Sequence, residues 1–531
     1  MLPRPRRLHR ALPFLAATAL SLGVVPAAVA SPGGSTVATA VTSPSATGTS
    51  TVLVTGPAAA VARAQRLVDH GAGFRDLPVI GGFAARVSAA QRTSLTAAGL
   101  TVTDDAPAQV EDADWGADSH DASAVYPQAD GATKAWAQHL DGHGVSVAVV
   151  DTGINATGDL AGKVIDGHDF SGEGDYTKDG FGHGTFVAGI IAGSGAASGG
   201  AVEGVAPGAD LVSLKVAGAD GSTDVLRVIS AIQWAVDHAA ADHIRVLNLS
   251  LGTDSRQDWR IDPLDAAVEG AWRAGLVVSV SAGNTGADGI TKPADDPYVI
   301  SVGASDDATT VATGDDSVAP FSAVGPTVAG VAKPDLVAPG AHVVSTRSAG
   351  STVDTAHPDA RVAGSYFRGS GTSFSAPQVA GAAALLLQQR PNLSNDHVKG
   401  MLVRTADPLR GAAATAQGAG ELDVAAALAA APGKPANTGL KSSTGSGSAA
   451  ASQGSLVWAG RPTGGDDDVW KTAPWKTLAW EGQAWKSAAW NTLAWETLAW
   501  ETHDWQSADW NTLAWETLAW ETLAWETDAW S

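Results

Sequence analysis

Five short apolar runs through the middle of the chain restrict its fold more than any other feature. They are Val145–Val150, Leu211–Val216, Ile244–Leu251, Leu276–Val280 and Val299–Val302, each rich in Val, Ile and Leu and followed at or near its end by Gly, Ser, Asn or Asp. Runs this short, without polar alternation, suit strands covered on both faces. Between the second and third, the stretch Asp224–Ala241 places Val225, Val228, Ile229, Ile232 and Val236 on one face. That spacing predicts a helix, capped by Thr223. Strand, helix and strand in succession give an α/β class: a mostly parallel sheet with helices on both faces. In such sheets chemistry gathers at the carboxyl ends of the strands. Asp151 falls there, directly after Val150, and Asn284 falls a few residues after Val280.

The segments before this core read differently. Arg4, Arg6, Arg7 and Arg10 precede an apolar run from Ala11 to Val25, and Ala28-Val29-Ala30 offers a cleavage site ahead of Ser31. This pattern predicts a secretory signal over residues 1–30 and a secreted, extracellular product. The run is shorter than the roughly 20 apolar residues of a membrane span, so no transmembrane helix is expected in the mature form. From Thr51 to Ala106 an alternating run, a helical stretch at Ala58–His70, a β-rich stretch at Phe74–Val87 and a second short helix at Ala89–Ala98 predict a small α+β domain. The chain has no cysteine, which excludes disulfides and thiolate metal sites. Its formal charge of −22 excludes nucleic acid and anionic membranes as natural partners, because both would repel it.

Three glycine-flanked segments carry the chemistry. Asp151 ends Val-Ala-Val-Val-Asp-Thr-Gly, His183 lies in Gly-His-Gly-Thr-Phe-Val-Ala-Gly, and Ser373 lies in Gly-Thr-Ser-Phe-Ser-Ala-Pro. A serine hydroxyl is a poor nucleophile near neutrality, so acyl transfer needs an imidazole to take its proton and a carboxylate to hold that imidazole. The run from Phe374 to Gln389 buries Val379, Ala383, Leu386 and Leu387, so Ser373 is expected to open a helix, with Pro377 confined to the first turn. Free backbone N–H groups at a helix start suit a developing oxyanion. Singly, each residue has a plainer reading: a turn aspartate, a loop histidine, a serine N-cap. Together, in this order and on a βαβ background, they point to a nucleophile, its base and the base's orienter.

On these contexts, and on Ala-Gly-Asn around Asn284, residues 120–432 resemble the catalytic domain of subtilisin-like (subtilase) serine peptidases. The resemblance implies a secreted serine endopeptidase of broad specificity, acting on protein or peptide substrates. It assigns catalytic roles to Asp151, His183 and Ser373 and an oxyanion-donor role to Asn284. It also implies that an extended peptide is gripped as an added strand between Gly221-Ser222-Thr223 and Ser250-Leu251-Gly252. Ser250, Gly252, Ala282 and Gly283 are small, so an open first pocket for apolar residues is expected. Residues 51–106 resemble the family's propeptide, a folding chaperone and inhibitor, which makes the chain's own propeptide a partner and the product a zymogen that processes itself between Ala106 and Tyr126.

No cofactor is assigned from the sequence, and calcium stays open. The loop Ser194–Ala201, which in many relatives helps hold calcium through a side-chain amide, has neither carboxylate nor carboxamide here. The clusters Asp306-Asp307 and Asp315-Asp316 read as solvated loop charge, with calcium as the alternative.

Beyond Pro432 a Gly/Ser/Ala-rich stretch, residues 433–469, reads as a flexible linker. Trp then recurs at every fifth position from Trp470 to Trp530, thirteen times. That period matches neither a one-faced helix nor a one-faced strand, so a repeating turn is expected. One reading is an aromatic ladder that stacks on cell-wall or other polysaccharide; the plainer one is a self-associating low-complexity segment. The rival to an enzyme is therefore a surface-binding protein whose peptidase-like domain is only scaffold.

Overall fold

The computed structural model describes residues 49–454, apart from 69, 72, 106, 111–113 and 116–122. The signal segment 1–30 and the Trp repeat 470–531 lie outside the described residues. No helix among the described residues is long and apolar enough to cross a membrane.

Seven parallel strands form the main sheet, in the spatial order Val164–Asp169, Asp210–Lys215, Ser146–Asp151, Ile244–Leu249, Val277–Ser281, Ile300–Asp306 and Leu336–Pro339. Ser317–Val318 adds a short antiparallel edge beside Ile300–Asp306. The five sequence-predicted runs all fall on these strands. Strand order reverses between Ser146–Asp151 and Ile244–Leu249, and a reversal splays the following loops apart into a crevice at the carboxyl ends. Asp151 ends one of these two strands and Ser250 directly follows the other.

Two helix pairs cover the sheet. His183–Ala192 packs against Thr372–Gln389, and Val225–His238 packs against Pro263–Arg273. The helix Thr372–Gln389 is buried from Thr372 to Leu387, as its nearly continuous Ala, Val and Leu composition requires. The cap of Val225–His238 is Asp224 and not Thr223: the Asp224 carboxylate accepts from Arg227 N–H at 2.7 Å, while Thr223 donates its hydroxyl to Val216 O at 2.8 Å. A carboxylate at this end also meets the positive pole of the helix.

Residues 49–104 form a four-stranded antiparallel sheet in the order Arg75–Leu77, Gly82–Ser88, Thr49–Thr55, Thr101–Asp104. Val52 and Val54 face the helices Ala58–Gln65 and Ala89–Ala97, in one apolar cluster with Phe83 and Leu95, while Leu53 and Ala84 point the other way into the main core. The period of two thus lets one sheet serve two interfaces. Residues 78–80 dock on the helices Val225–His238 and Pro263–Arg273. Val79 N–H donates to Gln233 Oε1 at 2.6 Å, and Val79 O sits so close to Gly270 that a Cβ there would lie 2.6 Å away.

The stretch expected to be a flexible linker from residue 433 is folded back on the body as far as residue 454. Ser443 N–H donates to both Glu269 oxygens, Ser448 and Gln257 exchange two hydrogen bonds, and the Ser452 hydroxyl donates to Asp262 Oδ1 at 2.7 Å. Small residues leave this backbone accessible, and buried carboxylates and amides of the Pro263–Arg273 region take up its donors.

Asp307 and Asp316, expected as solvated loop charge together with Asp306 and Asp315, are instead only 4% and 7% exposed. Burial pushes Asp307 up to about 7. Burial, with Asp316 beside it, pushes Glu421 up to about 9, and the Ser305 hydroxyl donates to Glu421 Oε1. Their environment disfavours charge, so each is held toward its neutral acid form.

Candidate active site

Asp151 and His183 meet because a strand end and a helix start converge on the crevice. His183 Nδ1 lies 2.8 Å from Asp151 Oδ1 and 3.0 Å from Oδ2, with the imidazole fully buried and the carboxylate 1% exposed. An ionised carboxylate can only accept, so Nδ1 carries the proton and the Nε2 lone pair is directed away from Asp151. Thr152 N–H also donates to Asp151 Oδ1, at 2.7 Å.

Two residues that the sequence reading passed over hold this arrangement. Asp179, 3% exposed, accepts from the Thr152 hydroxyl at 2.8 Å, Gly182 N–H at 2.6 Å and Thr185 N–H at 2.8 Å, while Gly184 N–H donates to Thr152 Oγ1 at 2.8 Å. The first turn of the His183 helix is thereby tied to the strand end that carries Asp151. Burial nonetheless pushes Asp179 above the usual carboxylate range. A signal was present in the sequence: an acid four residues before His183, next to a run of glycines. Gly184 itself admits no side chain, since a Cβ would lie 2.2 Å from Gly153 O and 3.1 Å from Asp151 Oδ1.

Ser373 is the second residue of the helix Thr372–Gln389 and is fully buried. Pro377 lies in the second turn of that helix, deeper than expected. Proline cannot donate to the carbonyl four residues back, which is Ser373 O. The Ser250 hydroxyl donates to that carbonyl at 2.8 Å and makes good the missing bond. The Ser373 hydroxyl in turn donates to Ser250 O at 3.5 Å, so Ser250, directly after its strand, and Ser373 are tied in both directions. The Phe374 ring stacks near the His183 ring, with centroids 5.9 Å apart, and brings the two segments together.

Asn284 completes the group. Its Oδ1 accepts from Thr372 N–H and from the Thr372 hydroxyl, both at 2.8 Å, and Gly283 N–H donates to Thr372 Oγ1 at 3.2 Å. A backbone N–H can only donate, so the contacting atom of Asn284 is oxygen and the orientation of the carboxamide follows. Its NH2 group lies at the other corner of the planar carboxamide from the oxygen that Thr372 holds.

The predicted strand-binding segments frame the same crevice. Ser222–Asp224 and Leu251–Gly252 both pair antiparallel with Pro107–Val110, which lies between them as the middle strand of a three-stranded sheet. Four residues further along, Asp114–Trp115 pairs antiparallel with Gly369–Ser370, just before Ser373. The chain's own backbone therefore pairs with Leu251–Gly252, directly after Ser250, and with Gly369–Ser370, just before Ser373. Gly221 (φ +75°) and Gly283 (φ +112°) adopt a conformation suited to glycine, and a Cβ at Gly283 would lie 2.6 Å from the Thr291 methyl. Ala282 is buried, and its carbonyl accepts from Thr291 N–H at 2.9 Å.

Among the described residues no group of three or more His, Cys, Asp or Glu is arranged to hold a metal ion. In the loop 194–201, Ala197 N–H donates to Asp159 Oδ1 at 2.7 Å, and the Tyr366 hydroxyl donates to Asp159 Oδ2 at 2.6 Å.

Comparison with known proteins converges on one group. Residues 142–423 match the model of the subtilase family. Serine protease AprX of Bacillus subtilis (strain 168) is 43% identical over 293 residues, which is 54% of this chain and 66% of that protein, just under two thirds of its length. Subtilisin Savinase of Lederbergia lenta is 38% identical over 276 residues, 51% of this chain and 86% of that protein. Among solved structures, fervidolysin from Fervidobacterium pennivorans, described as a keratinolytic enzyme related to subtilisin, aligns with a TM-score of 0.56 and 24% identity over 72% of this chain and 61% of its own. That last likeness speaks for the fold alone.

Proposed function

Since the chain belongs to the subtilase family of serine endopeptidases, we propose that it is a secreted endopeptidase of broad specificity, made as a zymogen that processes itself, with Ser373 as nucleophile. The observation that carries the reading is the pairing of His183 Nδ1 with Asp151 at 2.8 Å beside the buried start of the Thr372–Gln389 helix. With Asp151 holding the Nδ1 proton, Nε2 is the atom that takes the Ser373 proton as Oγ attacks the scissile carbonyl, and later delivers it to the leaving amine. The negative charge that forms on the carbonyl oxygen is met by the Asn284 carboxamide and by the Ser373 backbone N–H, where the helix dipole adds its positive end. Asp151 stays ionised and stabilises the transient imidazolium.

The substrate would lie as Pro107–Val110 lies now, paired to Ser222–Asp224 and Leu251–Gly252. Backbone pairing grips any sequence, which supports broad specificity, with Gly221, Thr223, Ser250, Ala282 and Gly283 shaping the walls. Occupation of the same groove by the chain's own backbone supports the zymogen reading: residues 49–110 act as inhibitor until cut and released. The Trp repeat would hold the protease to a surface polysaccharide. Hydrolysis of a chromogenic peptide as a function of pH tests the core of this reading. The rate is expected to rise along an acid limb as the imidazole loses its proton, toward a neutral-to-alkaline optimum, and an optimum at acid pH would contradict His183 as the base.

A further inference from the structure

Residues 443–454 form a strap that takes no part in the proposed reaction, yet it lies between the catalytic body and the small N-terminal domain. Toward the body it is firmly tied. Thr444 N–H donates to Arg260 O at 2.8 Å and Gly447 N–H to Ile261 O at 2.6 Å, which adds to its bonds with Glu269, Gln257 and Asp262. Its short helix Ala449–Ser452 packs on Pro263–Arg273, and the Thr253 hydroxyl donates to Ser452 O. Toward the small domain, the same helix packs on the edge strand Thr101–Asp104, and the Thr55 hydroxyl donates to Gly445 O at 3.4 Å. Both surfaces are closed: Gly445 is buried and Ala449 is 2% exposed.

Register explains why this edge meets the strap. Leu53 stands opposite Ala84 and Thr103, and Thr55 stands opposite Gly82 and Thr101, so these positions share one face of the sheet. Leu53 and Ala84 carry that face into the main core. One helix of the body then supports both edges of the sheet. Val79, next to the edge strand Arg75–Leu77, lies against Gly270, and at the other edge a Cβ on Gly445 would lie 3.0 Å from that of Ala266, one turn before Gly270. We propose that the strap is the second half of the inhibitor's docking surface: it holds residues 49–104 on the body after the junction is cut, and so sets how long the enzyme stays inhibited. The inference rests on the reading of residues 49–110 as an inhibitor and names a site that retains it. Backbone ties fix the strap to the body, whereas it meets the small domain through packing of small side chains and the Thr55 hydroxyl. A contact of that kind can part without unfolding either side.

The test follows the full secreted chain in time, by gel for cleavage of the junction and by a chromogenic peptide for activity, and reads the lag between the two. Thr55→Val leaves the buried Gly445 carbonyl without this donor and is expected to shorten the lag about fivefold. Ala449→Gln, which wedges a longer side chain under the sheet, is expected to shorten it about tenfold. The double variant should fall short of the product of the two, because surfaces parted by one change leave less contact for the other to break. Thr55 leaves with the inhibitor, so mature enzyme from Thr55→Val has the parent sequence and the parent kcat and KM, and its shorter lag reports docking alone. A parent-length lag in both single variants, or effects that multiply in full, would overturn the proposal. If Ala449→Gln is not secreted, Thr55→Val decides alone. A parent chain that hydrolyses the peptide before its junction is cut, with no lag, would instead sink the inhibitor reading.

Discussion

Replacement of Ser373 by Ala is expected to lower kcat by about 10⁶-fold and to leave the secreted chain uncut. The size follows from the coupling of the parts. His183 is oriented by Asp151 at 2.8 Å to serve one hydroxyl, and once that hydroxyl is gone the base has nothing to activate. In subtilisin, whose triad members act as a unit, loss of the nucleophile costs about as much as loss of all three. What remains is the contribution of the oxyanion donors and of substrate alignment, on the order of 10³–10⁴ over water. The variant removes one oxygen and sets Ala, a good helix former, in the first turn of the Thr372–Gln389 helix, so the thermal midpoint should stay close to that of the parent chain. A chain that lost activity together with its fold would answer a different question, and a melting curve separates the two. If the chain processes itself, Ser373→Ala protein should run at the mass of the chain after signal removal, with no fragment that starts between Ala106 and Tyr126. Mature-length product from this variant would mean that another protease makes the cut.

Asn284 is expected to give the second largest effect. Asn284→Leu should lower kcat about 10²–10³-fold with KM nearly unchanged, the cost measured for a side-chain donor of this kind in a subtilisin. The physical reason is timing: the substrate carbonyl is a weak acceptor and the tetrahedral oxyanion a strong one, so the bond matters most at the transition state. The fixed carboxamide sharpens the expectation. Its oxygen is claimed twice by Thr372 at 2.8 Å, so the amide donates without reorganising. Asn284→Asp should fare no better, because an anion facing a forming oxyanion repels it. A loss confined to KM would place Asn284 in ground-state binding and outside the oxyanion site. Thr372→Val, which deletes one of the two clamps, should show a smaller loss in kcat of the same kind.

The parallel sheet could be read from the chain because fully buried strands announce themselves as unbroken Val, Ile and Leu, and their carboxyl ends can be located to a residue or two. Asp151, His183, Asn284 and Ser373 lie in short glycine-rich contexts, and the glycines have a steric origin, as at Gly184, where Gly153 O leaves no room for a Cβ. What sequence could not supply was set by partners distant in the chain. Asp307 and Asp316 look like surface charge until Glu421, more than 100 residues on, is placed beside them. Pro377 looks like a first-turn residue until Ser250 is seen to take the carbonyl it orphans. Residues 443–454 look like a linker because small polar side chains carry no pattern, while their backbone finds Glu269, Gln257 and Asp262. Thr223 and Asp224 are both good caps, and only geometry selects between them. The ladder of Pro107–Val110 with two segments 113 to 143 positions away has no local signature at all.

The central claim is that Ser373 is activated by the His183–Asp151 pair. Its most direct measurement is peptide mapping by mass spectrometry after brief exposure of the processed protein to a fluorophosphonate. One adduct is expected, on the peptide that contains Ser373, formed quickly in the parent protein and lost in His183→Ala, whose serine keeps its place but has no base. Labelling of Ser373 at the same rate without the imidazole, or an adduct on any other serine in its stead, would contradict the account.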